Sequence, residues 1–292
     1  MPKHQYDSNL HLSKKNEEKL QTINDIIDEY KNAGYVLTLR QLYYQLVSRA
    51  VIPNNVREYA KISTILVKGR MAGIVDWDAI EDRLRVPNLP YWVHDIPDAI
   101  QDTINSYRLN RMDGQDVYIE CWVEKDALSG VLKRITHKYH INLVVNRGYS
   151  SCTAMYDAYT RIHTAILEGK NPVILYLGDH DPSGLDMIRD IKDRLHGFES
   201  IVFDIEHIAL KTAQVNQYNP PPNPAKIKDP RSKWYIKKFG NTSWEVDALD
   251  PKTLLSLVEN NIKSLINIKL YNQMIDQEKE DKERLKEIMN NL

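Results

Sequence analysis

The apolar run Val173-Ile174-Leu175-Tyr176-Leu177 ends in Gly178-Asp179-His180-Asp181-Pro182-Ser183-Gly184. A buried strand of this kind delivers two carboxylates, Asp179 and Asp181, to one side of a sheet edge. Like charges so close repel, and a divalent cation that prefers hard oxygen ligands is the usual remedy. A second apolar run, Val117 to Val123, closes on Glu124. If the two strands are neighbours, Glu124, Asp179 and Asp181 form an oxygen-rich site for Mg²⁺, which suits phosphodiester chemistry. Lys125 and Arg147, next to these strand ends, are candidate phosphate contacts. His180 is expected to face solvent, because imidazole is not a favoured Mg²⁺ ligand.

An alternating α/β pattern must position these groups. The spacing predicts strands at 116–124, 141–146, 172–178 and 200–205, with helices at 126–138, 153–168 and 184–196 between them. That is a largely parallel sheet, in which functional groups gather beyond the carboxyl ends of the strands. Glu124, Gly148-Tyr149-Ser150 and the acidic pair all fall there. Upstream, helical periodicity covers 16–33, 39–48 and 57–71, with Thr38 as a cap for the second helix. Three helices on short turns followed by Gly-containing chain fit a winged-helix-like module. On the third, Arg57, Lys61, Thr64 and Lys68 share one face. Together with Arg70, Arg83 and Arg85 they form a basic patch suited to DNA phosphates, although a solvated helix face has the same pattern.

The expected division is a DNA-binding domain at 1–90, a linker and connecting helix (Asp98 to Arg111) at 91–115, an α/β domain at 116–271 and a charged helix at 272–292. The Pro-rich stretch 216–233 reads as a stiff connecting loop, and a capped helix starts near Asp250-Pro251.

The chain has 292 residues and a formal net charge of −1, so no global basic signature marks it as a nucleic-acid binder and the local patch must carry that argument. Its two cysteines, Cys121 and Cys152, lack metal-ligand spacing and read as buried thiols of a reducing compartment. No apolar run approaches membrane-spanning length and no leader is visible, so the expectation is a cytoplasmic, nucleoid-associated protein without membrane contact.

Val123-Glu124-Lys125-Asp126, Gly148-Tyr149 and Gly178-Asp179-His180-Asp181-Pro182-Ser183-Gly184 resemble a Toprim domain, the metal-binding unit of topoisomerases, DnaG-type primases and some nucleases. Leu39-Arg40-Gln41-Leu42-Tyr43-Tyr44 resembles the Arg-x-x-Tyr-Tyr motif of the A subunit of DNA topoisomerase VI and of the meiotic protein Spo11. In that family a winged-helix domain with a nucleophilic tyrosine precedes the Toprim domain, and the order here is the same over roughly residues 35–250. The chain looks like a compact bacterial or phage relative. It departs from the family in its short length, in His180 between the acids and in the Pro-rich 216–233 stretch.

The resemblance implies that Tyr44 is the nucleophile with Arg40 one helical turn before it, and that Glu124, Asp179 and Asp181 hold Mg²⁺. It gives Trp244-Glu245-Val246-Asp247-Ala248-Leu249 a supporting role. It further implies a type IIB-like cleavage subunit that acts on double-stranded DNA as a homodimer. Any strand passage would require a separate ATPase subunit, since no phosphate-binding glycine loop is present. Of Tyr43 and Tyr44, helix geometry requires one to face inward. Three readings stay open on the residues: a DNA-cleaving transesterase using Tyr44, a Toprim nuclease using metal-activated water, and a DNA-binding protein without catalysis.

Overall fold

In a computed structural model the described residues are 5–6, 13–81, 90–146, 148–199, 201–225 and 229–290. Arg83, Arg85, Arg147 and most of the Pro87–Pro90 linker lie outside them. The chain is a mixed α/β protein with a four-stranded parallel sheet.

Three helices form the N-terminal part: α1 (Lys14–Asn32), α2 (Leu39–Ser48) and α3 (Val56–Met71). Each begins where the sequence offers a start signal. Thr38 and Gln41 make a reciprocal capping box for α2, and Asn55 accepts from Glu58 N to cap α3. Their apolar faces meet in one core of Leu20, Ile23, Tyr30, Leu42, Leu46, Ile62 and Leu66. After α3 the chain returns to pair Ile80 with Leu37 in an isolated parallel bridge. Helix α4 (Ile96–Ser106) follows. It stops short of the expected Arg111, because Arg111 turns back to hold Glu278 and the Lys138 carbonyl.

The sheet consists of β1 (Val117–Val123), β2 (Asn142–Val145), β3 (Asn171–Leu177) and β4 (Asp204–Ala209) in the order β2-β1-β3-β4. Helices α5 (Ser129–Tyr139), α6 (Cys152–Leu167) and α7 (Pro182–His196) connect them. Strand alternation sends Ile119, Cys121, Val123, Leu175 and Leu177 to one face, against α5. Trp122, Ile174 and Tyr176 go to the other, against α6 and α7. Both faces are covered, which is why β1 and β3 read as nearly unbroken apolar runs.

Strand β4 begins four residues later than expected. Ile201 and Phe203 bury themselves beside α7 before the ladder starts, and the paired residues Asp204–Ala209 carry the polar side chains of an edge strand. Cys121 is buried but Cys152 is exposed, at the first position of α6. The stretch expected to be a plain connection is more structured than that. It includes the end of α8 (Thr212–Tyr218) and β5 (Asn223–Pro224), and it leads into α9 (Ser232–Phe239) and β6 (Thr242–Ser243), which pairs with β5. Helices α10 (Pro251–Leu265), capped by Asp250, and α11 (Ile268–Asn290) complete the chain. Among the described residues no helix is long and apolar enough to cross a membrane.

Helix α10 is tied to α5 by Glu259, whose carboxylate lies 2.7 Å from Lys138 Nζ, accepts from the Tyr139 hydroxyl at 2.8 Å and sits 3.1 Å from Lys263 Nζ. The hydrogen bond from Lys138, helped by Tyr139 and Lys263, holds the Glu259 carboxyl down to about 2. Its stabilisation is therefore fully present above the ordinary carboxyl range and lost as pH falls toward 2. Glu259→Gln is expected to cost about 1 kcal/mol at pH 7, given the exposed lysines. In urea unfolding, the gap between variant and parent should close as pH is lowered from 5 to 2.5.

Candidate active site

Strands β1 and β3 are hydrogen-bonded neighbours with Val123 opposite Leu177, so their next residues emerge side by side. Glu124 N donates to Leu177 O at 3.0 Å, and the Glu124 carboxylate accepts from Asp179 N at 3.1 Å. The sequence expectation that these two acids meet is thus realised in the backbone itself. Asp179 is 3% exposed. One of its oxygens accepts from Val246 N at 2.9 Å and the other lies 3.0 Å from Lys125 Nζ.

Asp181 does something more local. It caps α7, accepting from Gly184 N at 2.7 Å and from the Ser183 hydroxyl at 2.8 Å, with Pro182 as the first helical residue. Gly184 is required by close approach: a β-carbon there would stand 2.3 Å from Asp179 O. The Asp-x-Asp-Pro-Ser-Gly run is therefore a strand end and a helix start pressed together.

His180 is buried at 1% exposure and does not face solvent. Its Nδ1 lies 2.8 Å from the Tyr235 hydroxyl and its Nε2 3.0 Å from Thr212 Oγ1, while its ring packs against Phe239 and Trp244. The cover comes from α8, α9 and β6, segments too distant in sequence for local spacing to reveal. Burial lowers its pKa, favouring the neutral ring.

Both Tyr43 and Tyr44 face inward. Tyr43 donates to Asn54 Oδ1 at 2.9 Å. The Tyr44 hydroxyl donates to Glu245, and Arg40 pairs with the same carboxylate while its Nε lies 2.6 Å from Asp247. Lys125 Nζ joins the two halves, at 2.9 Å from Glu245, 2.9 Å from Asp247 and 3.0 Å from Asp179. One continuous polar network therefore runs from Tyr44 and Arg40 on α2 through Glu245, Asp247 and Lys125 to Asp179 at the end of β3. Arg40, Glu124, Lys125 and Gly148 line a cleft of about 330 Å³ beside it.

Burial, with the nearby Asp247 and Glu245 carboxylates adding to it, pushes the Tyr44 phenol well above its ordinary range. Burial also raises Asp179, reinforced by Glu124 and Asp247 and opposed by Lys125. For Glu245 burial acts upward, but Lys125, the Tyr44 hydrogen bond and Arg40 outweigh it and hold the carboxyl low. Burial would lower Lys125 and Arg40, and their carboxylate partners more than compensate.

Sequence reasoning gave Glu245 and Asp247 only a supporting role, yet they link the candidate tyrosine to the acidic strand end. The signal available was a second acid-x-acid spacing after a short strand. The basic face of α3 forms as expected, with Arg57, Lys61, Thr64 and Lys68 opposite its buried residues; Lys61 pairs with Glu58 at 2.6 Å. Arg70 is used internally, donating to the carbonyls of Trp77 and Ile80 at 3.1 and 3.0 Å.

The donor chemistry of Glu124, Asp179 and Asp181 suits Mg²⁺, and Asp179 is raised first by burial and then by its neighbours Glu124 and Asp247. Among the described residues, no three acid, histidine or cysteine side chains already stand as a metal cage. Lys125 is the cation that Asp179 meets instead. A comparison with protein-family models gives no match, and a search of curated proteins finds no significant relative.

Two substitutions probe this construction. Gly184→Ala should destabilise the fold by about 1–3 kcal/mol through overpacking against a backbone carbonyl, read as a lowered midpoint in thermal or urea unfolding. Lys125→Met, which leaves three carboxylates without their shared cation, should cost about 3–5 kcal/mol at pH 7.5. Protonation removes the repulsion, so the deficit measured by urea unfolding should shrink as pH is lowered to 5.

Proposed function

We propose that this chain is a Mg²⁺-dependent DNA-cleaving transesterase of the topoisomerase VI A/Spo11 type, with a winged-helix-like part that carries Tyr44 and a Toprim-like sheet. The observation that carries the reading is the contact of Tyr44 and Arg40 with Glu245, within the same ion network as Asp179. Tyr44 and Arg40 lie more than a hundred positions from both Asp179 and Glu245 along the chain, and two motifs of one family resemblance meet there in space.

In this reading a DNA phosphate enters the cleft lined by Arg40 and Lys125. Both cations turn from carboxylates to the phosphate, and Glu245, relieved of its counter-charges, becomes a stronger acceptor for the phenol proton. The Tyr44 oxygen bonds to phosphorus as the bond to the 3′-oxygen breaks. The phenol proton passes to Glu245, the leaving oxygen takes a proton from water to become a 3′-hydroxyl, and the hydroxide left behind is neutralised by the proton on Glu245. Held by Glu124, Asp179 and Asp181, Mg²⁺ would stabilise negative charge on the phosphate and on the leaving oxygen. One phosphodiester is exchanged for another, so resealing needs no ATP.

Each chain offers one Tyr44, so a double-strand break requires two chains, in keeping with a C2 dimer. The tyrosine is seated against its own chain's Glu245. Exchange of tyrosines between partners, as the resemblance implies, would have to break that contact. A hydrolytic Toprim nuclease is the second reading, favoured by one observation: Tyr44 is buried and already engaged as a donor.

Incubation with supercoiled DNA and Mg²⁺ followed by detergent denaturation separates the two. The transesterase leaves DNA covalently attached through Tyr44. Tyr44→Phe should abolish the adduct and lower cleavage by at least about 10³-fold, and Asp179→Asn should abolish cleavage while DNA binding persists. Cleavage by Tyr44→Phe at the parental rate, with no adduct from either protein, would establish the nuclease instead.

A further inference from the structure

Helix α9 has two unlike faces. Ser232 and Tyr235 are buried, and the Phe239 ring meets His180 edge-on with centroids 4.8 Å apart. The Tyr235 hydroxyl lies 2.8 Å from both His180 Nδ1 and the His180 carbonyl. This face therefore packs directly on the residue between Asp179 and Asp181. The other face carries Lys233, Trp234, Lys237 and Lys238, at i, i+1, i+4 and i+5, all exposed. The helix contains no acidic residue, and none of its three ammonium groups forms an ion pair among the described residues. Trp234 is 52% exposed, with Lys238 Nζ 5.5 Å from its ring centroid.

The helix is also fixed in place at its start. Arg231 pairs with Asp186 of α7 at 3.2 Å and with Asp229 at 2.7 Å, and its guanidinium lies over the Tyr149 ring at 5.1 Å. Two of these partners, Asp186 and Tyr149, lie on segments that follow the carboxyl ends of β3 and β2. A helix anchored in this way, whose three ammonium groups meet no carboxylate among the described residues and whose indole is half bare, complements a polyanion with exposed rings beside the acidic pair.

From this geometry we infer that α9 is a DNA-binding platform: Lys233, Lys237 and Lys238 contact successive phosphates of a strand leaving the acidic strand ends, and Trp234 stacks on an unpaired base. The inference rests on the reading of those strand ends as a DNA site. Salt dependence measures the phosphate contacts, and aromatic truncation measures the stacking.

The test is fluorescence anisotropy with a labelled single-stranded oligonucleotide and its duplex, from 50 to 300 mM salt, on the full chain. For single strands, Lys233→Ala/Lys237→Ala/Lys238→Ala should reduce the slope of log affinity against log salt by about 2. Trp234→Ala should weaken single-strand binding about tenfold and duplex binding less than about twofold. A control with the same charge removed elsewhere, Lys263→Ala/Lys279→Ala/Lys286→Ala, should keep the parental slope. An unchanged slope in the α9 variant, or an equal fall in the control, overturns the platform while leaving the cleavage reading intact if the parent still forms its Tyr44 adduct. A parent that binds neither oligonucleotide overturns both.

Discussion

Three carboxylates of this protein, from β3 and from the turn at 246–248 and its approach, converge on the single ammonium of Lys125. Without that cation the buried Asp179 and Asp247 would face each other and Glu245 with only Arg40 to oppose them. Leaving such carboxylates without their cation in a poorly solvated place costs several kcal/mol, on the order of 3–5. The position of α2 relative to the sheet follows from the same cluster, since Arg40 and Tyr44 reach it from the other side. Stability and the geometry proposed for catalysis therefore draw on one set of charges.

That sharing gives the site its particular character. A site held together by its own ion pairs has to exchange them when an anionic substrate arrives. In the proposed reading a phosphate would compete for Arg40 and Lys125, and each contact it won would loosen a carboxylate. The same reorganisation would free Asp179 for a metal and Glu245 for a proton. The buried Tyr44 phenol is engaged with Glu245, and burial disfavours its ionisation. Under the proposed cleavage reading, such a design would keep Tyr44 quiet until a DNA phosphate is in place.

Much of this was legible in the sequence. The strand ends at Glu124 and Asp179 were readable because long apolar runs stop at them, and parallel pairing of the two strands made their convergence a geometric consequence. The three N-terminal helices announced themselves through apolar periodicity, with Thr38 as the cap of the second. Two things were not legible. The burial of His180 depends on α9 docking against the strand end, and no local periodicity encodes a surface brought from fifty residues away. Lys125 reads as a phosphate contact in isolation, and only the folded chain reveals the carboxylates that already claim it. Strand β4 was displaced because apolar alternation marks burial, whereas the ladder is set by backbone pairing with β3.

The short segment 246–249 carries a last consequence. Val246 and Leu249 belong to the core between the sheet and α10, Ala248 to the core of the N-terminal helices, and Asp247 to the ions between them. Four successive residues are thus riveted into three different environments. Neither core can loosen here without pulling on the other, so the junction behaves as a transmission shaft rather than a hinge. A strand seated at the sheet edge would be felt mechanically by α2 and, through it, by the whole helical end of the molecule.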